Sequence, residues 1–120
     1  MTEEGFWKFL EGRGRADMVL YSTETGDPDI DAAGEFIRGH ALLPKDYNNL
    51  TERELEEMGE LLFREKVKQK TKEAVLILLA HQVSDTALTI LTKFNMRPDK
   101  PLVYFARLAL EESLMWNGNP

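Results

Sequence analysis

The stretch TKEAVLILLA, residues 71–80, decides the fold. Its apolar core, AVLILLA at 74–80, is the longest unbroken apolar run in the chain. Hydrophobicity alone allows either a buried strand or a buried helix. Leucine and alanine outnumber the β-branched residues, and Glu73 stands where the first turn of a helix favours an acid. The run therefore reads as a helix, with Thr71 as its expected cap. It is apolar on all sides, so it should be the most enclosed helix of the protein. Seven residues fall far short of the roughly 20 that a bilayer requires.

Helical patterns flank it on both sides. Upstream, Thr51-Glu52-Arg53-Glu54 has capping-box spacing, with Leu50 and Leu55 at the staple positions. The helix that follows places Leu55, Met58 and Leu62 on one face with Gly59 beside them, and Glu60 four residues before Arg64. Glycine costs helicity, roughly 1 kcal/mol against alanine, so Gly59 points to a close helix crossing. Downstream, Ser84 reads as a cap with Asp85 in the first turn. Ala87, Leu88, Leu91 and Phe94 form a stripe. Lys93 lies in the last turn, Asn95 is placed to close the helix in a left-handed conformation, and Pro98 follows. A final helix begins near Asp99 with Pro101 in its first turn.

Residues 1–49 are less regular. GFWKFLEG is helical for a turn or two, with Phe6, Phe9 and Leu10 inward. GRGR at 12–15 is a breaker. MVLYS at 18–22 is a short strand or an extended segment, STETGDPD is loop, and 31–39 form a short helix. The expected architecture is all-α or nearly so, a bundle or short α-solenoid in one domain, 1–120. Its helical core spans 50–117, and an irregular segment, 1–49, packs on it.

Residues 71–113, TKEAVLILLAHQVSDTALTILTKFNMRPDKPLVYFARLALEES, resemble HEAT-like repeats of the short kind found in bacterial bilin-lyase-like proteins. Ala74, Leu78 and Leu79 match the first helix of such a unit, and Ala87, Leu88 and Leu91 the second. Pro98 and Asp99 match the turn, and Ala106, Ala109 and Leu110 begin the next unit. Ala74 and Ala106 are 32 residues apart, near one repeat period. Leu102 and Val103 stand where such repeats commonly carry arginine. The resemblance implies stacked helix pairs and a scaffold that binds other macromolecules.

The last helix is apolar on two sides. Leu102, Ala106, Ala109, Leu110 and Ser113 share a face with a small-residue centre. Phe105 and Trp116 flank it on one side, Val103 and Leu114 on the other. Tyr104, Leu108 and Met115 form a second stripe opposite. Burying a leucine or methionine is worth roughly 1.5–3 kcal/mol, so this stripe wants cover. Either residues 6–21 supply it, through Phe6, Trp7, Phe9 and Leu10, or a second chain does, as a two-fold dimer or a partner groove. Tyr104, Leu108 and Met115, with Trp116 at the rim, are the expected partner-binding residues.

Other chemistry is thinner. Net charge is −6, which disfavours non-specific contact with nucleic acid or anionic membrane. Charge is uneven: residues 1–35 hold nine acids and three bases, while 64–72 hold five bases and one acid. Arg64, Lys66, Lys68, Lys70 and Lys72 are the nucleic-acid candidates, without interleaved aromatics for stacking. Asp27, Asp29 and Asp31 have the spacing that opens a calcium loop, but Ala32 and Arg38 stand where glycine and a bidentate glutamate belong. Asp29 or Asp31 is then a helix cap. His40 and His81 lack metal-motif spacing; His40 has Glu35 as a neighbour, and His81 ends a helix where the dipole favours a cation. Cysteine is absent. The expectation is a cytoplasmic interaction or adaptor module, bound to another protein or to itself as a homodimer, without metal, cofactor or catalytic residues. A nucleic-acid-associated protein using 64–72, and a small enzyme or metal-binding protein using the acidic loop 24–40, are the alternatives.

Overall fold

In the computed structural model, which describes residues 1–12, 26–40, 43–44 and 46–118, the run at 74–80 lies inside α4, Gln69–Ala80. Every residue of α4 from Thr71 to Ala80 is buried, as expected of a helix apolar all round. Among the described residues five other α-helices pack around it: α1 (Glu3–Gly12), α2 (Pro28–Gly39), α3 (Glu52–Gly59), α5 (Asp85–Met96) and α6 (Val103–Trp116). Short 3₁₀ turns precede α3, follow it, and lead into α6. The described residues contain no strand, so the class is all-α. The strand or extended segment expected at MVLYS lies outside them. No helix among the described residues is long and apolar enough to cross a membrane.

The capping box of α3 forms as its sequence dictates. The Thr51 hydroxyl accepts from the Glu54 amide at 3.1 Å, and the Glu54 carboxylate accepts from the Thr51 amide at 2.8 Å. Gly59 marks a close crossing onto α5: a Cβ there would stand 2.7 Å from Ile90 Cδ1. Ser84 caps α5 by accepting from the Ala87 amide at 3.2 Å. Its hydroxyl proton goes to Glu52 on α3, at 3.0 Å, so one side chain ties two helices. Ala87, Leu91 and Phe94 are buried, while Leu88 sits at the edge of the stripe, half-buried.

Four local expectations are corrected. Asn95 is helical and does not close α5; its amide donates to the carbonyls of Leu91 (2.8 Å) and Ala106 (3.0 Å), stitching α5 to α6. Asp27, rather than Asp29 or Asp31, caps α2, accepting from the amides of Asp29 (2.9 Å) and Ile30 (3.3 Å). Pro28 is then the first helical residue, where its missing N–H costs nothing. Thr71 does not cap α4, which begins two residues earlier with no cap from its own side chains. The cap comes from α1: Glu3 accepts from the Lys68 amide at 3.1 Å and from the Thr71 hydroxyl, which itself accepts from Trp7 Nε1 at 3.0 Å. An acid at the positive end of a helix is favourable wherever in the chain it comes from. Finally, α6 proper starts at Val103; Asp99 precedes a 3₁₀ turn, Lys100–Leu102, and its carbonyl accepts from the Leu102 amide at 2.8 Å.

The inner face of α6 comprises Phe105, Ala106, Ala109 and Ser113, continued by Leu102 of the preceding turn, all buried. Small residues at 106, 109 and 113 let α4 and α5 approach its backbone. α2 also packs against α6, with Phe36 edge-on to the Phe105 ring of this inner face at 5.2 Å between ring centroids. The N-terminal helix packs elsewhere, on the start of α4. Residues 6–12 therefore supply no main cover for α6, and the remainder of the expected 6–21 lies outside the described residues.

Candidate functional site

The ends of α2 and α4 converge on the middle of α6. His40 follows the last residue of α2, and His81 is the C-terminal cap residue of α4. Each is steered by its own helix. His40 Nδ1 lies 2.7 Å from the Phe36 carbonyl, and His81 Nδ1 lies 2.8 Å from the Ile77 carbonyl, both four residues back. The last carbonyls of a helix have no intrahelical donor, so each ring satisfies one of them. The two rings meet edge to face at 4.6 Å. Both Nε2 atoms aim at one carboxylate oxygen, Glu112 Oε1 on α6, at 2.9 Å from His40 and 3.0 Å from His81.

The protons follow from this geometry. A carbonyl only accepts, so both Nδ1 atoms carry hydrogen. In a neutral imidazole the other nitrogen, Nε2, then presents a lone pair. Two Nε2 lone pairs and a carboxylate oxygen therefore share one small volume. That arrangement is repulsive unless positive charge enters it, as protons on both rings or as a bound cation. The three donor atoms lie within 4.8 Å of one another, and among the described residues no other trio of histidine, aspartate and glutamate meets this closely. The acids at 27–31 form no such group; Asp27 is engaged as a cap.

Aromatic and apolar residues frame the cluster. Tyr47 and Trp116 rings stand 5.7 and 6.2 Å from the His81 ring. The Asn117 amide donates to the Gln82 carbonyl at 3.2 Å, and its oxygen accepts from the Ser84 amide at 3.1 Å. The backbone on both sides of Val83 is thus tied to the end of α6. Val83, Met115 and Trp116 are consequently gathered there while being 77%, 76% and 52% exposed. Of the residues expected to bind a partner, Met115 and Trp116 belong to this exposed end. Leu108 is half-buried against the core, and Tyr104, also half-buried, carries the Arg107 guanidinium over its ring at 4.9 Å.

The basic run does not present one surface. Lys72 is a correction: its side chain is 3% exposed and its ammonium pairs with Asp99 at 2.6 Å, which leaves nothing for a phosphate. Arg64 donates to the Met1 carbonyl at 2.9 Å and meets Glu60 at 3.4 Å. Lys70 lies 3.6 Å from Glu73. Lys66 and Lys68 are exposed, although the Lys68 amide is held by Glu3.

Sequence reasoning singled out both histidines but not Glu112, and it did not bring the three together. His40 and His81 are 41 residues apart, and Glu112 follows 31 later. The signal that could have found them is positional. Each histidine follows a helical apolar pattern at its C-terminal end, where a ring turned back onto its own helix projects the remaining nitrogen outward. Comparison with family models, curated proteins and solved structures finds no match for this chain.

Proposed function

We propose that this protein is a cytoplasmic protein-interaction module that docks through the end of α6, with a second copy of the chain as partner. One observation carries the reading: Met115 and Trp116 are exposed at the end of α6, and Val83, exposed in the loop between α4 and α5, is held beside them by the ties from Asn117 to Gln82 and Ser84. Clustered exposed apolar residues next to an aromatic anchor are the composition of an interface core. The self-complementary form fits a helix end, because a two-fold axis brings the same patch onto itself. The HEAT-like resemblance of residues 71–113 supports a scaffold role. The cytoplasmic placement is supported by the missing cysteines, which fit a reducing compartment.

The experiment is sedimentation of the intact chain up to about 100 µM, a range that captures weak self-association. A dimer that becomes a monomer in Val83→Lys/Met115→Lys supports the reading. A wild type that stays monomeric, or a dimer that survives the double substitution, defeats it. Both positions are exposed, so the variant should fold as the wild type does.

A further inference from the structure

We infer that His40, His81 and Glu112 bind one divalent d-block cation of the zinc class, clamping the end of α2 to α4 and α6. This goes beyond the docking reading and rests on different atoms. The donor chemistry selects the ion. Two imidazole nitrogens and one carboxylate oxygen suit zinc and its neighbours in the d-block, whereas calcium and magnesium prefer all-oxygen sets.

The rings are already set for it. A metal-ligating histidine characteristically gives its other N–H to a carbonyl or carboxylate, which fixes the tautomer. Both rings do so here, through Nδ1, to Phe36 and Ile77. Zinc holds nitrogen and oxygen at about 2.0–2.2 Å, which for tetrahedral angles separates donors by roughly 3.3 Å. The Nε2 to Oε1 separations of 2.9 and 3.0 Å need open by only a few tenths of an ångström. The His40 and Glu112 side chains are 32% and 21% exposed, so an ion can enter, and a water can take its fourth position. The His81 side chain is 7% exposed and forms the inner wall.

The surroundings favour a cation a second time. Both histidines stand at helix C-termini, where the last carbonyls put the negative end of the helix dipole. The ends of α2 and α4 therefore point their negative poles at one spot. Protonating both rings would also answer this field, but it places two imidazolium rings 4.6 Å apart around a single carboxylate. A dication bound to neutral rings removes that repulsion.

The test uses tag-free, chelator-treated protein titrated with Zn²⁺ alone. One equivalent should bind. X-ray absorption should show two imidazoles and oxygen at about 2.0–2.1 Å. The chain has only two histidines and no cysteine, so an imidazole pair can come from nowhere else. His40→Ala and Glu112→Gln, each checked for unchanged helicity, should weaken binding by more than the roughly 10–100-fold that loss of an outer-shell partner costs. Hydrogen exchange in α2 should slow on binding and stay fast in His40→Ala. Val83→Lys/Met115→Lys should bind Zn²⁺ as the wild type does, so failure of the docking reading leaves this one standing, and the reverse.

No uptake at about 100 µM Zn²⁺ would mean that protons alone hold the cluster together, and the inference falls. It falls equally if the ion has an oxygen-only shell, or if both substitutions leave affinity intact. Binding without any change in α2 exchange overturns the clamp.

Discussion

α1 and α4 are held in place by different means. Ten consecutive residues of α4 are buried, and its neighbours touch it on every side. α1 buries Phe6 and Leu10, and fastens itself to the start of α4 through Glu3 and Trp7. The first is placed by burial, which has no direction and tolerates approximate geometry. The second adds to its two buried side chains a few hydrogen bonds, each requiring a particular atom at a particular distance. The same split runs through the molecule: α3 to α6 form most of the apolar body, and α1 and α2, which add Phe6, Leu10 and Phe36 to it, are further pinned by Glu3, Trp7 and His40. The two kinds of attachment should fail differently.

The largest effect should come from the body. Leu79→Ala removes a fully buried side chain from the middle of the core, and should cost about 2–5 kcal/mol. Urea unfolding should show the loss as one cooperative transition. If α4 merely loosened while the rest stayed folded, the body would not be one unit.

Next come the two ends of the Lys72–Asp99 pair. Asp99→Ala strands a buried ammonium and should cost about 2–3 kcal/mol, less than the extreme because Asp99 is 43% exposed on its side chain. Lys72→Met keeps the methylene stem, removes the charge, and should stay within about 1 kcal/mol of wild type. Equal losses from the two substitutions would show that the pair contributes net attraction instead of compensating an otherwise costly burial.

Thr71→Val is aimed at the N-terminal attachment. The valine is nearly isosteric, yet it deprives Trp7 Nε1 of its acceptor and Glu3 of a donor. A loss of about 1–3 kcal/mol is expected, from removing two hydrogen bonds of which one goes to a carboxylate. Hydrogen exchange should quicken mainly in α1, while the amides in the middle of α4 and in α6 keep their protection. Uniform loss of protection would erase the distinction between body and attachment.

The same distinction explains what was legible in the chain. Periodicity marks α3, α4, α5 and α6, because burial of a face imposes a repeat on neighbouring residues. The caps at Thr51 and Ser84 are local and equally readable. Glu3 caps a helix through an amide 65 residues away, and His40 meets a carboxylate 72 residues away. No spacing rule connects such positions, since the fold alone brings them together. Asn95 was misread for a related reason. Its type and position fit a local left-handed close, and its real partner, the Ala106 carbonyl, lies across a turn. In the candidate site, the histidines were visible as residues, and their convergence on Glu112 was not.

The smallest effect probes the crossing that organises the body, Gly59 against Ile90. An alanine Cβ at 59 would meet Ile90 Cδ1 at 2.7 Å and Cγ2 at 3.1 Å. Relief of the glycine penalty would stabilise α3 by about 1 kcal/mol, while overpacking costs about 1–3 kcal/mol. The second should win in the wild-type background, making Gly59→Ala mildly destabilising. Ile90→Val deletes the Cδ1 atom that comes nearest. In that background the clash relaxes, the helix-propensity gain survives, and Gly59→Ala should become neutral or stabilising. A double-mutant cycle in urea should therefore show a coupling of about 1 kcal/mol or more between the two positions. Additive effects would place the crossing farther apart than 2.7 Å implies, and the small-residue contact would cease to explain why α3 lies where it does.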